Sequence, residues 1–304
     1  MSGARTARRR LVGAGMTWLT GAATLLVIAL LAVILVDVVR GGIGRLSWEF
    51  ITAAPAEGMT AGGIFPAIYG TAVLTLLMTI AVMPVGVATA VYLHEYAPKG
   101  SRLAALVRVA VTNLAGVPSI VFGLFGLGFF VQFVGRGLDR AFNGGALRFG
   151  QPALLWAALT LAILTLPVVI VATEEALRAV PREWRDASLA LGATRSQTLA
   201  RVILPSALPG ILTGAILAVA RGAGEVAPIL FTGVAYYLPD LPHTPWSQFM
   251  HLGYHTYVLA TQSPDVEAAR PLLYATVLVL LLLTFALNAI AIFIRARTRH
   301  RAGA

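Results

Sequence analysis

The sequence predicts an all-α protein that crosses a membrane six times. Composition, the length of the apolar runs and the placement of the cations each point there. Hydrophobic residues make up 58% of the 304 residues and charged residues 12%, against roughly 25% charge in a soluble domain. A soluble fold of this length would be left with large exposed apolar patches. A spanning helix needs ~20 mostly apolar residues. Six stretches qualify: Met16–Val39, Pro66–Leu93, Leu103–Val134, Pro152–Thr173, Ala207–Val234 and Leu272–Ile294. The first is too long for a signal-peptide core and no small-x-small cleavage site follows, so it reads as a retained span.

Cations set the orientation. With the N-terminus in the cytoplasm, sixteen fall on inner segments: Arg5, Arg8, Arg9 and Arg10; Lys99, Arg102 and Arg108; Arg178, Arg182, Arg185, Arg195 and Arg201; Arg295, Arg297, Arg299 and Arg301. Six fall outside: Arg40, Arg45, Arg136, Arg140, Arg148 and Arg270. This bias places both termini inside and accounts for the net charge of +10 without nucleic acid. The chain divides into a tail, first span and outer loop (1–65), a core (66–294) and a basic tail (295–304). Two connecting segments exceed the usual loop length and are candidates for partner contact: Glu174–Pro205 inside and Ala235–Pro271 outside.

Several chemistries are excluded or left without support. No cysteine is present, so there is no disulfide, thiolate ligand or cysteine nucleophile. The single lysine, Lys99, lies between Pro98 and Gly100, so the chain has no Gly-Lys-Ser/Thr phosphate loop. His251 and His255 are four apart, but Leu252 follows the first and no third ligand is evident. No metal, bound cofactor or catalytic residue is expected. The outer segment reads instead as a short amphipathic helix anchored by Trp246, Phe249 and Tyr254.

Glu174–Pro205 has the local chemistry of two short helices around a tight turn. Pro181 opens the first, Arg182–Leu191. Gly192 suits a left-handed stop, and Thr194 with Gln197 forms a capping-box pattern for a second helix, Arg195–Ile203. Pro205 is expected to end it. The order Asp186-Ala187-Ser188, three residues, Gly192, nine residues, Val202-Ile203-Leu204-Pro205 resembles the E-A-A-x3-G-x9-I-x-L-P loop of bacterial ABC-importer permeases. Asp for Glu, Ser for the second Ala and Val for Ile are its departures. The resemblance implies the type I importer (MetI-like) permease fold. It also implies a coupling helix seated in a cleft of a separate ATPase, with Trp184, Asp186, Ala187, Ser188, Gly192, Leu204 and Pro205 serving that contact. Trp184 supplies a large apolar anchor.

Span five carries Arg221-Gly222-Ala223-Gly224-Glu225. Arg221 falls near mid-bilayer, where a charge costs at least ~2.5–3.5 kcal/mol. On a helix, Arg221 and Glu225 share a face. A packing salt bridge is one reading. The other is anion recognition: a guanidinium fork matches two oxyanion oxygens, and a carboxylate beside it accepts the proton that phosphate carries and sulfate lacks. Gly210, Gly214, Ala218 and Gly222 repeat every four residues and let another helix approach closely, within the chain or from a partner. Span three contains Gly116-Val117-Pro118, which reads as a kink or as a break facing the pathway.

Ala220–Gly233, reading ARGAGEVAPILFTG, is similar to the A-type subunit of the bacterial phosphate permeases, with Ala227-Pro228 favouring that type over its C-type sister. Gly116–Gly126, Gly63–Thr71 and His255 through Pro271 resemble the same family, so the likeness runs from about Gly63 to Ile294. It implies a multi-pass, non-enzymatic subunit of the bacterial inner membrane that carries inorganic phosphate past Arg221 and Glu225. Its implied partners are a homologous second permease, a dimer of ATPase subunits that consumes the ATP, and an extracytoplasmic phosphate-binding protein. Another oxyanion such as sulfate or molybdate, or a phosphate sensor without transport, remain the alternatives.

Overall fold

The computed structural model describes residues 2–56, 61–98, 100–263 and 266–302, with side chains over 13–298 apart from 57–61, 99 and 264–266. Lys99 and the side chains of Arg5, Arg8, Arg9, Arg10, Arg299 and Arg301 lie outside that description. Six helical runs are long and apolar enough to cross a membrane: Gly13–Arg45, Phe65–Tyr96, Ser119–Phe142, Leu154–Arg178, Arg195–Gly222 and Glu267–Thr298.

Helix α1 (Ser2–Gly42) meets the rest of the bundle near its C-terminal end. There Tyr274 donates its hydroxyl to Asp37 Oδ2 at 2.9 Å, and Val38 is buried. Short α2 (Trp48–Thr52) is capped by Ser47, whose hydroxyl accepts from the Phe50 N–H. A two-residue antiparallel pair follows, β1 (Pro55–Ala56) with β2 (Ala61–Gly62), the one strand pairing among the described residues. The chain then enters α3 (Phe65–Val91), which ends in a π-helical turn, Tyr92–Tyr96.

Span three starts and ends later than expected: the crossing run is Ser119–Phe142 rather than Leu103–Val134, and the residues before it form a separate short helix. Helix α4 (Arg102–Ala115) stops at Gly116, and α5 (Ser119–Gly126) starts after Pro118. Proline forces Val117 out of the helical region and has no N–H to give, so the run breaks here rather than bending. Helix α4 packs Ala104, Val107 and Val111 against Ala90, Leu93, Leu166 and Ile170. Helix α5 continues through a π-helical stretch, Leu127–Gly135, into α6 (Arg136–Phe142). It covers the other half of the bundle, where Val131 meets Ala153 and Trp156.

The fourth span, α7 (Leu154–Arg178), is the central post, with sixteen of its 25 residues buried. Its buried Thr160 and Thr165 donate to the Trp156 and Leu161 carbonyls, which lets hydroxyls lie in an apolar core without an orphan donor. After α7 come α8 (Arg182–Ala190) and α9 (Arg195–Thr198), which form a helical hairpin. A π-helical stretch, Leu199–Ile203, then joins α9 directly to α10 (Leu204–Gly222). Pro205 therefore does not end a helix. It sits in the first turn of α10, just past the widened π turn, where its missing N–H leaves no bond unmade.

The small residues of α10 face α7 and α3 of the same chain. An added Cβ at Gly210 would strike Ala176, one at Gly214 would come within 2.9 Å of Ala172 Cβ, and one at Gly222 would strike Met78. The seam is thus an intrachain packing surface, not a face held open for a partner.

The segment after α10 is irregular until α11 (Leu252–Thr261), and α12 (Val266–Ala302) closes the chain. The aromatic anchors are placed otherwise than expected. Trp246 and Phe249 precede the helix: Trp246 packs on Phe149 and Trp156, with ring centroids 4.6 and 5.3 Å apart, and Phe249 is fully buried. His251 caps α11, its Nδ1 accepting from the Gly253 N–H at 3.1 Å. Leu252 N–H donates to Thr71 Oγ1 at 2.9 Å, which pins this segment to α3.

Burial drives the pKa of His251 down to about 3 and that of His255 to about 4, because a charged imidazole there would lose its hydration. Both are neutral in the fold, while the unfolded chain takes up protons below about 6.5. Their contribution to stability is therefore whole above about 6.5 and is lost as pH falls from there toward the folded values. The expected loss at pH 5 is about 2 kcal/mol per histidine. Melting temperatures of the purified protein at pH 7 and 5 check this, and His255→Phe should flatten the slope.

Candidate functional site

Span five does not run to Val234 as a helix. It stops at Gly222, and residues 223–234 continue as turns. Gly222 abuts Met78, and its Cβ would lie 3.9 Å from Thr165 Cγ2. Met78 is the fourteenth of the 27 residues of α3, and Thr165 the twelfth of 25 in α7. At 1.5 Å per residue, each end of α7 is about 17–20 Å away. Arg221 therefore stands at the middle of the bundle, on the last turn of the 19-residue α10. A cation there also meets the negative end of the helix dipole.

The non-helical stretch is tolerated because protein surrounds it. Ala223, Ile229 and Thr232 are fully buried. Gly123 of α5 lies against the Ala227 and Pro228 backbone, Gly126 against Thr160 and Thr232, and Gly233 against the Ala153 carbonyl. Helix α5 thus lies directly beside the broken segment of span five.

Arg221 and Glu225 come together, but not as neighbours on a helix face, because Glu225 lies beyond the C-cap Ala223. Arg221 Nε is 3.7 Å from Glu225 Oε1. That is an ion-pair distance, too long for a hydrogen bond. The side chains are 42% and 22% exposed. Among the described residues nothing hydrogen-bonds the Arg221 Nη atoms, so its planar fork is open to two oxygens of an oxyanion.

The second constellation is the hairpin. Gly192 has φ +84°, the left-handed stop that its Cβ-free backbone allows. Thr194 and Gln197 form the reciprocal capping box. Ser188 and Thr198 hydroxyls hydrogen-bond at 2.9 Å and hold the two legs together. No residue of α8 is buried. Trp184 is half exposed and Asp186, Ala187 and Leu191 are exposed. Leu204 and Pro205 lie at the root of the hairpin, in the first turn of α10.

Residues 82–300 match the profile of the binding-protein-dependent transport system inner membrane component. The chain belongs to that family. This permease is 34% identical over 258 residues to the probable ABC transporter permease protein YqgI of Bacillus subtilis, covering 79% of this chain and 82% of that one. It is 34% identical over 271 residues to the phosphate transport system permease protein PstA of Yersinia pestis, covering 88% and 84%. With PstA of Xylella fastidiosa the identity is 34% over 225 residues, 74% and 73% of the two chains. A chain of the bacterial alginate ABC transporter crystallised with its alginate pentasaccharide-bound periplasmic protein superposes with a TM-score of 0.64 at 17% identity, over 90% of this permease and 92% of that chain. A chain of the inward-facing MetNI methionine ABC transporter gives 0.52 at 21%, over 76% and 94%. The last two likenesses concern the fold alone.

The permease also has a polar cluster that its sequence did not reveal. Arg185 of α8 donates from Nη2 to Glu95 Oε1 at 2.8 Å and to the Leu177 carbonyl at 2.9 Å, with His94 Nε2 at 3.4 Å. Arg108 of α4 pairs with Glu174 of α7 at 2.8 Å and donates to the Leu93 carbonyl at 3.0 Å. The signal available in the sequence was a carboxylate at the end of an apolar span, once at Glu95 and once at Glu174. Such groups need partners, but partners up to 90 residues away in sequence cannot be read from spacing.

Proposed function

We propose that this permease carries inorganic phosphate across the bacterial inner membrane as the non-hydrolytic subunit of an ATP-driven importer, with both termini in the cytoplasm. The observation that carries the reading is the open guanidinium fork of Arg221 at mid-bundle, 3.7 Å from Glu225. The fork donates to two phosphate oxygens. Glu225 accepts the O–H that phosphate retains at neutral pH and repels a fully ionised oxyanion such as sulfate. Relatives that bear the name phosphate transport system permease support the cargo.

The partners in this reading are a homologous second permease beside the Arg221 site, an extracytoplasmic phosphate-binding protein, and a dimer of ATPase subunits that uses the ATP. Helix α8 docks on the ATPase with Trp184 as its anchor and Asp186, Ala187 and Ser188 on the same short helix. Gly192, Leu204 and Pro205 set the turn and the root of the hairpin. When the ATPase closes, the hairpin moves, and the Arg221 site changes the side on which it is open.

The test is uptake by the reconstituted complex with phosphate and sulfate in competition. The parent should move phosphate and ignore sulfate. Glu225→Gln should lower that preference at least about tenfold, since a neutral amide loses both the acceptor strength and the repulsion. Unchanged selectivity in Glu225→Gln rejects the role of Glu225. Sulfate or molybdate uptake by the parent rejects phosphate as cargo, and phosphate uptake that survives deletion of this chain makes it a sensor instead.

A further inference from the structure

Helix α8 has no buried residue, so apolar packing does not hold it against the bundle. Ser188 ties it only to α9, the other leg of the same hairpin. Among the described residues the side-chain tie from α8 to the spans is Arg185. Its guanidinium bridges two acceptors on two different spans: the Glu95 carboxylate, on the π turn that ends α3, and the Leu177 carbonyl, near the end of α7. Arg185 and Glu95 are only 19% and 18% exposed. Charge-assisted bonds in such a place are stronger than their surface counterparts.

The same patch goes on to α4, the helix before span three, through the Arg108–Glu174 pair and the Arg108 bond to Leu93 O. Spans two and four and helix α4 thus share one polar plate at the hairpin end, and Arg185 is where α8 joins it. The other leg is attached differently, since α9 runs without interruption into α10 and so to Arg221. One leg of the hairpin is bolted to spans two and four; the other is the start of span five.

We propose that Arg185 is a positioning residue, anchored by Glu95, through which α8 and spans two and four move as one body when the hairpin is driven. The proposal rests on the reading of α8 as the motor-facing helix. It assigns to Arg185 and Glu95 the efficiency of coupling, not the binding of cargo.

Arg185→Gln, Glu95→Gln, the double variant and Arg185→Lys, each in the complete complex, test it with two readouts. One is cargo moved per ATP hydrolysed. The other is the width of the distance distribution between spin labels at Ala190 in α8 and Val85 in α3. Either glutamine variant should reduce cargo per ATP by about tenfold or more with hydrolysis retained, and should broaden the distance distribution. The double variant should be no worse than Arg185→Gln, because that change already removes both the Glu95 and the Leu177 bonds, whereas Glu95→Gln leaves the second in place. Arg185→Lys keeps the charge on a shorter side chain, without the planar guanidinium whose Nη2 makes both bonds, and should recover part of the coupling. A distribution as narrow as the parent's, or cargo per ATP at the parental value, overturns the proposal. If the parent hydrolyses ATP but moves no phosphate, the cargo assignment fails, and the label distances still decide the role of Arg185.

Discussion

Arg221→Ala should reduce phosphate uptake at least about 100-fold in a complex that still assembles, because two charge-assisted hydrogen bonds of about 1.5–3 kcal/mol each are lost at the cargo site. The loss is compounded by what remains. Without the guanidinium, Glu225 is an unneutralised carboxylate in mid-bundle, and it repels the anion. The fold itself should survive. Arg221 is partly exposed and its contact with Glu225 is a 3.7 Å ion pair rather than a hydrogen bond, so little packing goes with it. Arg221→Lys should fall between the two, since an ammonium keeps the attraction but not the planar fork. The measurement is initial uptake into proteoliposomes, with subunit stoichiometry checked on the same preparation. Parental uptake by Arg221→Ala would remove the site from the transport path.

The parts of this fold that were legible in sequence are those decided within a few residues. The hairpin is the clearest case. A glycine free to take φ +84° and a Thr-x-x-Gln capping box specify a stop and a start by local chemistry alone. The six spans were legible because apolar length is a property of the run itself. Span five misled for the opposite reason. Arg221 and Glu225 at i and i+4 have helical spacing, but Gly222 and Gly224 weaken the helix between them. Pro228 would also clash with the carbonyl of residue 224 in a continuous helix. These marks point to an end somewhere near Gly224, yet an end at mid-membrane is viable only if other elements bury the freed backbone. That depends on Gly123, Gly126 and Ala153, which are 70 or more residues away in sequence. Pro205 misled in the same way. Read alone it terminates a helix, whereas the π turn before it lets the helix begin again at once.

Gly123→Val should be strongly damaging, because it presses on the buried but non-helical backbone of span five. A Cβ at residue 123 would lie 2.9 Å from Ala227 O, 3.1 Å from Pro228 Cα and 3.1 Å from Pro228 O. All three are backbone atoms, so no rotamer change relieves the contact. Either α5 or the 223–234 segment must move outward. Overpacking of this kind costs about 1–3 kcal/mol in an ordinary core. Here it also uncovers peptide groups whose protection depends on α5, and in hydrocarbon each unsatisfied group adds several kcal/mol. The expected result is loss of the folded permease from the membrane, or a strongly lowered melting temperature, with uptake lost because Arg221 is no longer held at mid-bundle. Gly128, five residues further along the same helical run, is the control. A Cβ there meets nothing within 4 Å, so Gly128→Val should leave stability and uptake near the parental level. Equal damage from both substitutions would mean that the helical run tolerates no added bulk anywhere. No damage from either would mean that the broken segment of span five is not held by α5.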